Sequence, residues 1–312
     1  LWIPWARGRF YFTPEEEKQL QAISPATIDR RLKPKKRILK RRIYGSTRPG
    51  TLLKHHIPIK TTLDIHTPGF LEVDLVSHSG SSAQGEFIYT IDCTDIHTGW
   101  SELRAVMGKG QVRFLEAFKE IKQELPFPLK GIDSDNDSAN IFYHLKEHFC
   151  DRENIQFTRG KPYKKDDNAH IEQKNWTHIR VRIFAYIRYE SKETLEAMND
   201  LYRNKLRWFQ NFFQPSVKMI EKVQISSKIK KIYDPPRTPL QRVLGCKRID
   251  HERASQLITL FRSLDPFELS ETIDKKLDKI YRLATQTPRV QRIPRERPFN
   301  EPERLPTSIA YG

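Results

Sequence analysis

Residues 69–77 read "GFLEVDLVS", an apolar run with one aspartate, Asp74, between Val73 and Leu75. The run is short, rich in β-branched residues and opened by glycine, which predicts a buried strand. An ionised carboxylate in such a strand is costly unless it faces a cleft, a cation or a hydrogen-bond network. The alternative is a structural aspartate that caps backbone amides.

Working outward, "EFIYTIDCTD" (86–95) predicts a second, alternating strand, with a turn at His97–Gly99 and a third strand in "WSELRAVM" (100–107). "KGQVRFLEAFKEIKQEL" (109–125) has Val112, Leu115, Phe118, Ile121 and Leu125 at helical spacing. After Pro126 and Pro128, "LKGIDSD" predicts a short strand, "SANIFYHLKEHF" a helix capped by Ser138, and "IQFTRG" a last strand. A long helix is expected from about residue 168 to 189. Three hairpin-linked strands, a crossover helix, and then strand, helix, strand and helix give an α/β domain with a mixed sheet.

The second strand-end aspartate, Asp135, lies where α/β sheets gather ligands, with Asp133 as its local rival. Glu172 follows, with 36 residues between it and Asp135, one turn into the expected long helix. Three carboxylates meeting in one cleft would repel one another unless divalent cations lay between them. Magnesium takes oxygen ligands and leaves positions open for phosphate. Two such ions can serve an in-line phosphoryl displacement.

The flanks are basic. The chain of 312 residues has 55 Lys and Arg against 39 Asp and Glu, a formal charge of +16, which favours a polyanionic partner. From Arg30 to Arg42, nine of thirteen residues are basic. This run follows two helix starts: Thr13 with Pro14 and three glutamates, then Ser24 with Pro25 and a short helix through Leu32. The pair reads as the end of a helix-turn-helix. Arg30, Arg31, Lys35, Lys36 and Arg37 are its candidate DNA contacts. Lys161, Lys164, Lys165, Asn168 and Lys174, around the start of the Glu172 helix, form a second candidate set. His78 and His170 read as supporting residues rather than metal ligands.

Three scattered cysteines, Cys93, Cys150 and Cys246, show no zinc spacing or disulfide framework, which fits a reducing cytoplasm. No run of about 18 apolar residues and no signal-peptide pattern occur, so neither membrane insertion nor secretion is expected. The start at Leu1 reads as that of a fragment or of a differently assigned start. The expected organisation is a helix-turn-helix remnant with a basic segment (1–45), a linker (46–68), a catalytic core (69–190), a helical and basic region (191–286) and a disordered Pro/Arg-rich tail (287–312). Residues 216–244 are a basic stretch whose structure the sequence leaves open, with a Pro-Pro break.

"LEVDLVSH", "GIDSDNDSANI" and "RGKPYKKDDNAHIEQKNW" resemble the three catalytic blocks of the retroviral-integrase-like DDE transposases of bacterial insertion sequences. The resemblance extends from "ISPATIDRRL" to "YDPPRTPLQRVL". It implies an RNase H-like fold and metal-dependent DNA cleavage and joining. Asp74, Asp135 and Glu172 would be catalytic residues and ligands of two magnesium ions, with manganese as a substitute. It also implies DNA partners, both transposon ends and target, and a homodimer or larger assembly, with no small-molecule substrate. Asp137 and Ala139 stand where the family usually has Gly and Glu. That departure supports the alternative of a degenerate, non-catalytic DNA-binding protein. A nuclease that cuts without joining is the other alternative.

Overall fold

The computed structural model describes residues 2–39, 67–80, 82–134, 146–150, 153, 155–159, 184, 187–225, 228–247 and 249–284. At the N-terminus, helix α1 (Ile3–Ala6) is one turn, and α2 (Pro14–Ala22) starts on a complete capping box between Thr13 and Glu16. Helix α3 (Pro25–Leu39) starts at Ser24, whose hydroxyl accepts from the Thr27 amide. It runs past the expected end at Leu32, straight through Pro34. Proline there removes only the bond to the Arg30 carbonyl, and the exposed setting leaves that carbonyl open to water. Neither α2 nor the described side chains of α3 are buried.

The sheet has five strands: β1 (Phe70–Ser77), β2 (Ile88–Asp95), β3 (Ser101–Met107), β4 (Gly131–Ser134) and β5 (Gln156–Arg159). Their order is β3-β2-β1-β4-β5. The first three are antiparallel hairpin partners, while β4 pairs parallel to β1 and β5 parallel to β4. This mixed order, flanked by helices, is the RNase H-like fold expected from the sequence. The step from β3 across to β4 is made by helix α4 (Gln111–Glu124), which places Phe114, Phe118 and Ile121 in the core. Val112, expected on that apolar face, is exposed instead; the buried stripe begins at Phe114.

Alternation divides the sheet between two cores. Leu71, Val73, Ile91, Cys93, Ile132 and Phe157 pack on the α4 side. Val76, Ile88, Leu103 and Ala105 face the opposite side, against helix α5 (Lys192–Leu201) and the π-helical turns that continue it, Tyr202–Leu206 and Phe209–Phe213. Residues 187–189, expected at the end of a long helix, are not helical. Arg188 forms a bridge with Ser79, the Tyr189 amide donates to the His78 carbonyl, and the Tyr189 carbonyl accepts from Ile88. The backbone groups at the end of β1 need partners, and an extended segment supplies them where a helix could not.

Beyond the core the chain is not wholly helical. Within the basic stretch whose structure the sequence left open lies a hairpin, β6 (Met219–Ile225) and β7 (Lys228–Tyr233). Helices α6 (Pro239–Leu244), α7 (His251–Ser263) and α8 (Pro266–Leu283) complete the structure. The N-terminal turn packs on these elements. The Trp2 indole donates to the Phe213 carbonyl at 3.0 Å and meets Phe209 and Phe267 edge-on, and Trp5 does the same with Phe213 and Phe261. Arg9 reaches Asp265 and Glu271 of the α8 start.

A buried ionic network joins β3 to this outer layer. Glu102 is fully buried, accepts from the Trp100 indole at 2.8 Å and pairs with the Arg207 guanidinium at 2.8 Å. Arg207 also pairs with Glu124, and Arg104 bonds Glu120 at 3.3 Å. Removing one partner of such a network strands a buried charge. Glu102→Ala is therefore expected to cost about 3–5 kcal/mol, read as a lowered urea midpoint with an unchanged slope.

Candidate active site

Asp74 stands at the centre of β1, half-buried, with its Oδ1 accepting the Leu75 amide at 2.7 Å. Because β1 is hydrogen-bonded to β2 on one side and β4 on the other, its backbone is held in the middle of the sheet. The register places Asp92 of β2 directly opposite Asp74, and Asp133 of β4 directly opposite Glu72. By alternation Glu72, Asp74, Asp92 and Asp133 occupy one face, that of Val76 and Ile88, so four carboxylates share it. Glu72, Asp92 and Asp133 are nearly sealed from solvent, and Asp74 is the most open of the set.

Two of the buried members, Asp92 and Asp133, have neutral donors. Thr94 donates to Asp92 at 3.1 Å and shares a second contact with Ser101 at 2.8 Å. Thr158 of β5 donates to Asp133 at 2.6 Å, which gives the sequence rival of Asp135 a structural anchor on the neighbouring strand. Farther along the same face, His78 Nε2 and the Tyr202 hydroxyl both contact the Thr90 hydroxyl, at 2.8 and 2.7 Å. Burial pushes the Tyr202 phenol far above its usual range, so it remains protonated. His78 is thus a buried link among Thr90, Phe184 and Tyr189.

On the other face, Cys93 is buried, and burial first, then Asp92 and Glu102, pushes its thiol well above the ordinary value. It is an inert core residue. At the entry to β1, Asp95 accepts from the Gly69 amide at 2.8 Å and from the Thr98 amide and hydroxyl at 2.6 Å each. Burial raises the Asp95 pKa against the pull of these bonds. Gly69 has φ +115° and a Cβ there would lie 2.4 Å from the Pro128 carbonyl oxygen, so this junction requires glycine.

Strand β4 ends at Ser134, opposite Val73, one residue short of the Asp74 level. Asp135 is the next residue in the chain; it lies outside the described residues, as do Lys161, Lys164, Lys165, Asn168, His170, Glu172 and Lys174. Arg30 and Arg31 are exposed on α3, and Arg30 reaches the Thr27 hydroxyl at 3.4 Å. Lys35, Lys36 and Arg37 continue the backbone of that helix. Among the described residues no group of three or more His, Cys, Asp or Glu forms a metal cluster, and no helix is long and apolar enough to cross a membrane. Sequence reading passed over Glu72 and Asp92. The signal for them was the period-2 pattern of "LEVD" and "TIDCTD", usable only once the register of β1 on β2 is known.

The chain is 34% identical over 241 residues to the uncharacterized protein y4rM of Sinorhizobium fredii, covering 77% of this chain and 68% of that protein. It belongs to the family of that protein. No protein-family model matches. Among solved structures, the catalytic core domain of BIV integrase is similar at 15% identity and a TM-score of 0.28, over 35% of this chain and 64% of the solved one. That overlap is too slight to bear on function, and the fold rests on the strand order and directions above.

Like charges directly opposite one another in a sheet are destabilising. Asp74→Asn is accordingly expected to leave the melting temperature unchanged or to raise it, by about 0.5–1 kcal/mol of stability. Thermal unfolding monitored by circular dichroism in metal-free buffer checks this. A loss of several degrees would mean that Asp74 holds the fold rather than a ligand.

Proposed function

We propose that this chain is a DDE-type polynucleotidyl transferase, a transposase that cleaves DNA at transposon ends and joins the freed 3′-hydroxyl to target DNA. The observation that carries the reading is the half-buried Asp74 at the centre of the RNase H-like sheet, with β4 running parallel beside it and leading into Asp135. The resemblance of the three acidic blocks supplies Asp135 and Glu172 as its partners.

The donors fit a hard divalent cation. They are carboxylate oxygens only, and Asp74 is open enough to meet a hydrated ion while its β-sheet backbone stays fixed. Asp74, Asp135 and Glu172 would hold two magnesium ions, for which manganese could substitute. When bound, these ions neutralise charge at the phosphodiester and make the attacking oxygen more nucleophilic. The protein's part is positional. The central strand fixes one carboxylate, and the Thr94 and Thr158 hydroxyls keep Asp92 and Asp133 engaged beneath it. The proposed basic contacts are Lys161, Lys164, Lys165, Asn168 and Lys174 near the third carboxylate and Arg30, Arg31, Lys35, Lys36 and Arg37 on α3. They would hold phosphates and set the register of the DNA. Action on two ends requires at least a dimer on DNA.

The test is a strand-transfer assay on pre-cut and uncut end duplexes with magnesium or manganese. The parent should cut and join. Asp74→Asn, Asp135→Asn and Glu172→Gln should each lose roughly a thousandfold or more of both steps, as expected for residues acting as one unit. Cutting without joining would make the protein a nuclease. Inactivity of the parent with either ion would leave a non-catalytic DNA-binding protein.

A further inference from the structure

The β6–β7 hairpin has no part in the site described above, yet its composition is one-sided. From Lys218 to Tyr233 the chain carries five lysines and a single acid, Glu221. The register places Lys222 directly opposite Lys231. By alternation Glu221, paired with Ile232, belongs to the other face, so the hairpin offers no carboxylate beside that lysine pair. Like charges opposed in this way weaken a hairpin, and a two-stranded hairpin has little stability to spare. The apolar residues do not compensate, since Ile220, Ile232 and Tyr233 are exposed.

The base of the hairpin is firmly built. Asp234 accepts the Lys218 amide and pairs with Arg242 at 2.5 Å, while the Lys218 ammonium donates to the carbonyls of Ile96 and His97. Ile96 in turn donates to the Phe70 carbonyl at the start of β1. The hairpin is therefore rooted four residues along β1 from Asp74, about 13 Å away, and is itself about 20 Å long.

We propose that the β6–β7 hairpin is a second DNA-binding element, gripping duplex phosphates through the opposed Lys222–Lys231 pair. This rests on the reading above that DNA is the substrate. An anion between two opposed lysines converts their repulsion into attraction, and a duplex supplies phosphates in series along a strand-length surface. Such contacts carry no base readout, so the hairpin adds affinity and orientation equally for end and target DNA.

Binding of a short fluorescein-labelled duplex, followed by anisotropy in EDTA across a range of potassium chloride concentrations, tests this without any cleavage. The Lys222→Gln/Lys231→Gln variant should lower the slope of log affinity against log salt by about two, for end and random sequences alike. The Lys→Arg pair should retain the parent slope. Thermal stability of the Gln variant should match or exceed the parent, which separates lost contacts from a lost fold. An unchanged slope in a variant whose parent binds the duplex overturns the hairpin proposal and leaves the catalytic reading intact. A parent that binds no duplex overturns both. A Gln variant that binds normally but changes oligomeric state in sedimentation assigns the hairpin to a second copy of the chain and overturns the proposal.

Discussion

A carboxylate in the middle of a strand hydrogen-bonded on both sides cannot move with its backbone. That constraint on Asp74 organises the rest of the core. Strand β1 has β2 antiparallel on one side and β4 parallel on the other, so its register is set twice. A slip of one residue would carry Leu71 and Val73 out of the α4 core and turn Asp74 into it. The apolar alternation that stabilises the sheet is thus the same feature that aims the aspartate.

The constraint extends to both ends of β1. At its start, Asp95 binds the Gly69 amide and the Thr98 turn, joining β1 to the β2–β3 connection. At its far end, Tyr189 is inserted between His78 and Ile88 by two backbone bonds. The segment arriving from the region of Glu172 is thereby fastened to the strand that carries Asp74. Around this frame the N-terminal tryptophans and the Glu102–Arg207 network bind elements far apart in sequence to one body.

Much of the core was legible in the sequence because its signals were local. The period-2 runs of β1 to β3, the helical spacing of α4 and the caps at Thr13 and Ser24 all depend on a few neighbouring residues. What was not legible depended on pairing. Asp92 and Glu72 became site candidates only through the register. The non-helical form of residues 187–189 was hidden because Ser79 and His78, over a hundred residues earlier, supply the competing partners. The hairpin was obscured by its lysines, which break the apolar alternation that marks a strand; its turn-to-core anchor, Lys218 on Ile96 and His97, is also non-local. Val112 was misplaced because an apolar residue at the first turn of a helix can satisfy the spacing without facing the core.

The distribution of charge follows from the same architecture. The chain is strongly basic, yet one face of its sheet collects four carboxylates within a few residues of one another. Buried acids beside a polyanion would repel it if nothing else acted at longer range. On the proposed reading, lysines and arginines on outlying elements, α3 and the β6–β7 hairpin, would supply the attraction for DNA that the acidic face lacks. Screening confines each charge to about 10 Å at ordinary salt. A hairpin rooted about 13 Å from Asp74 would therefore act on DNA where it touches it, and not by cancelling the field of the acids.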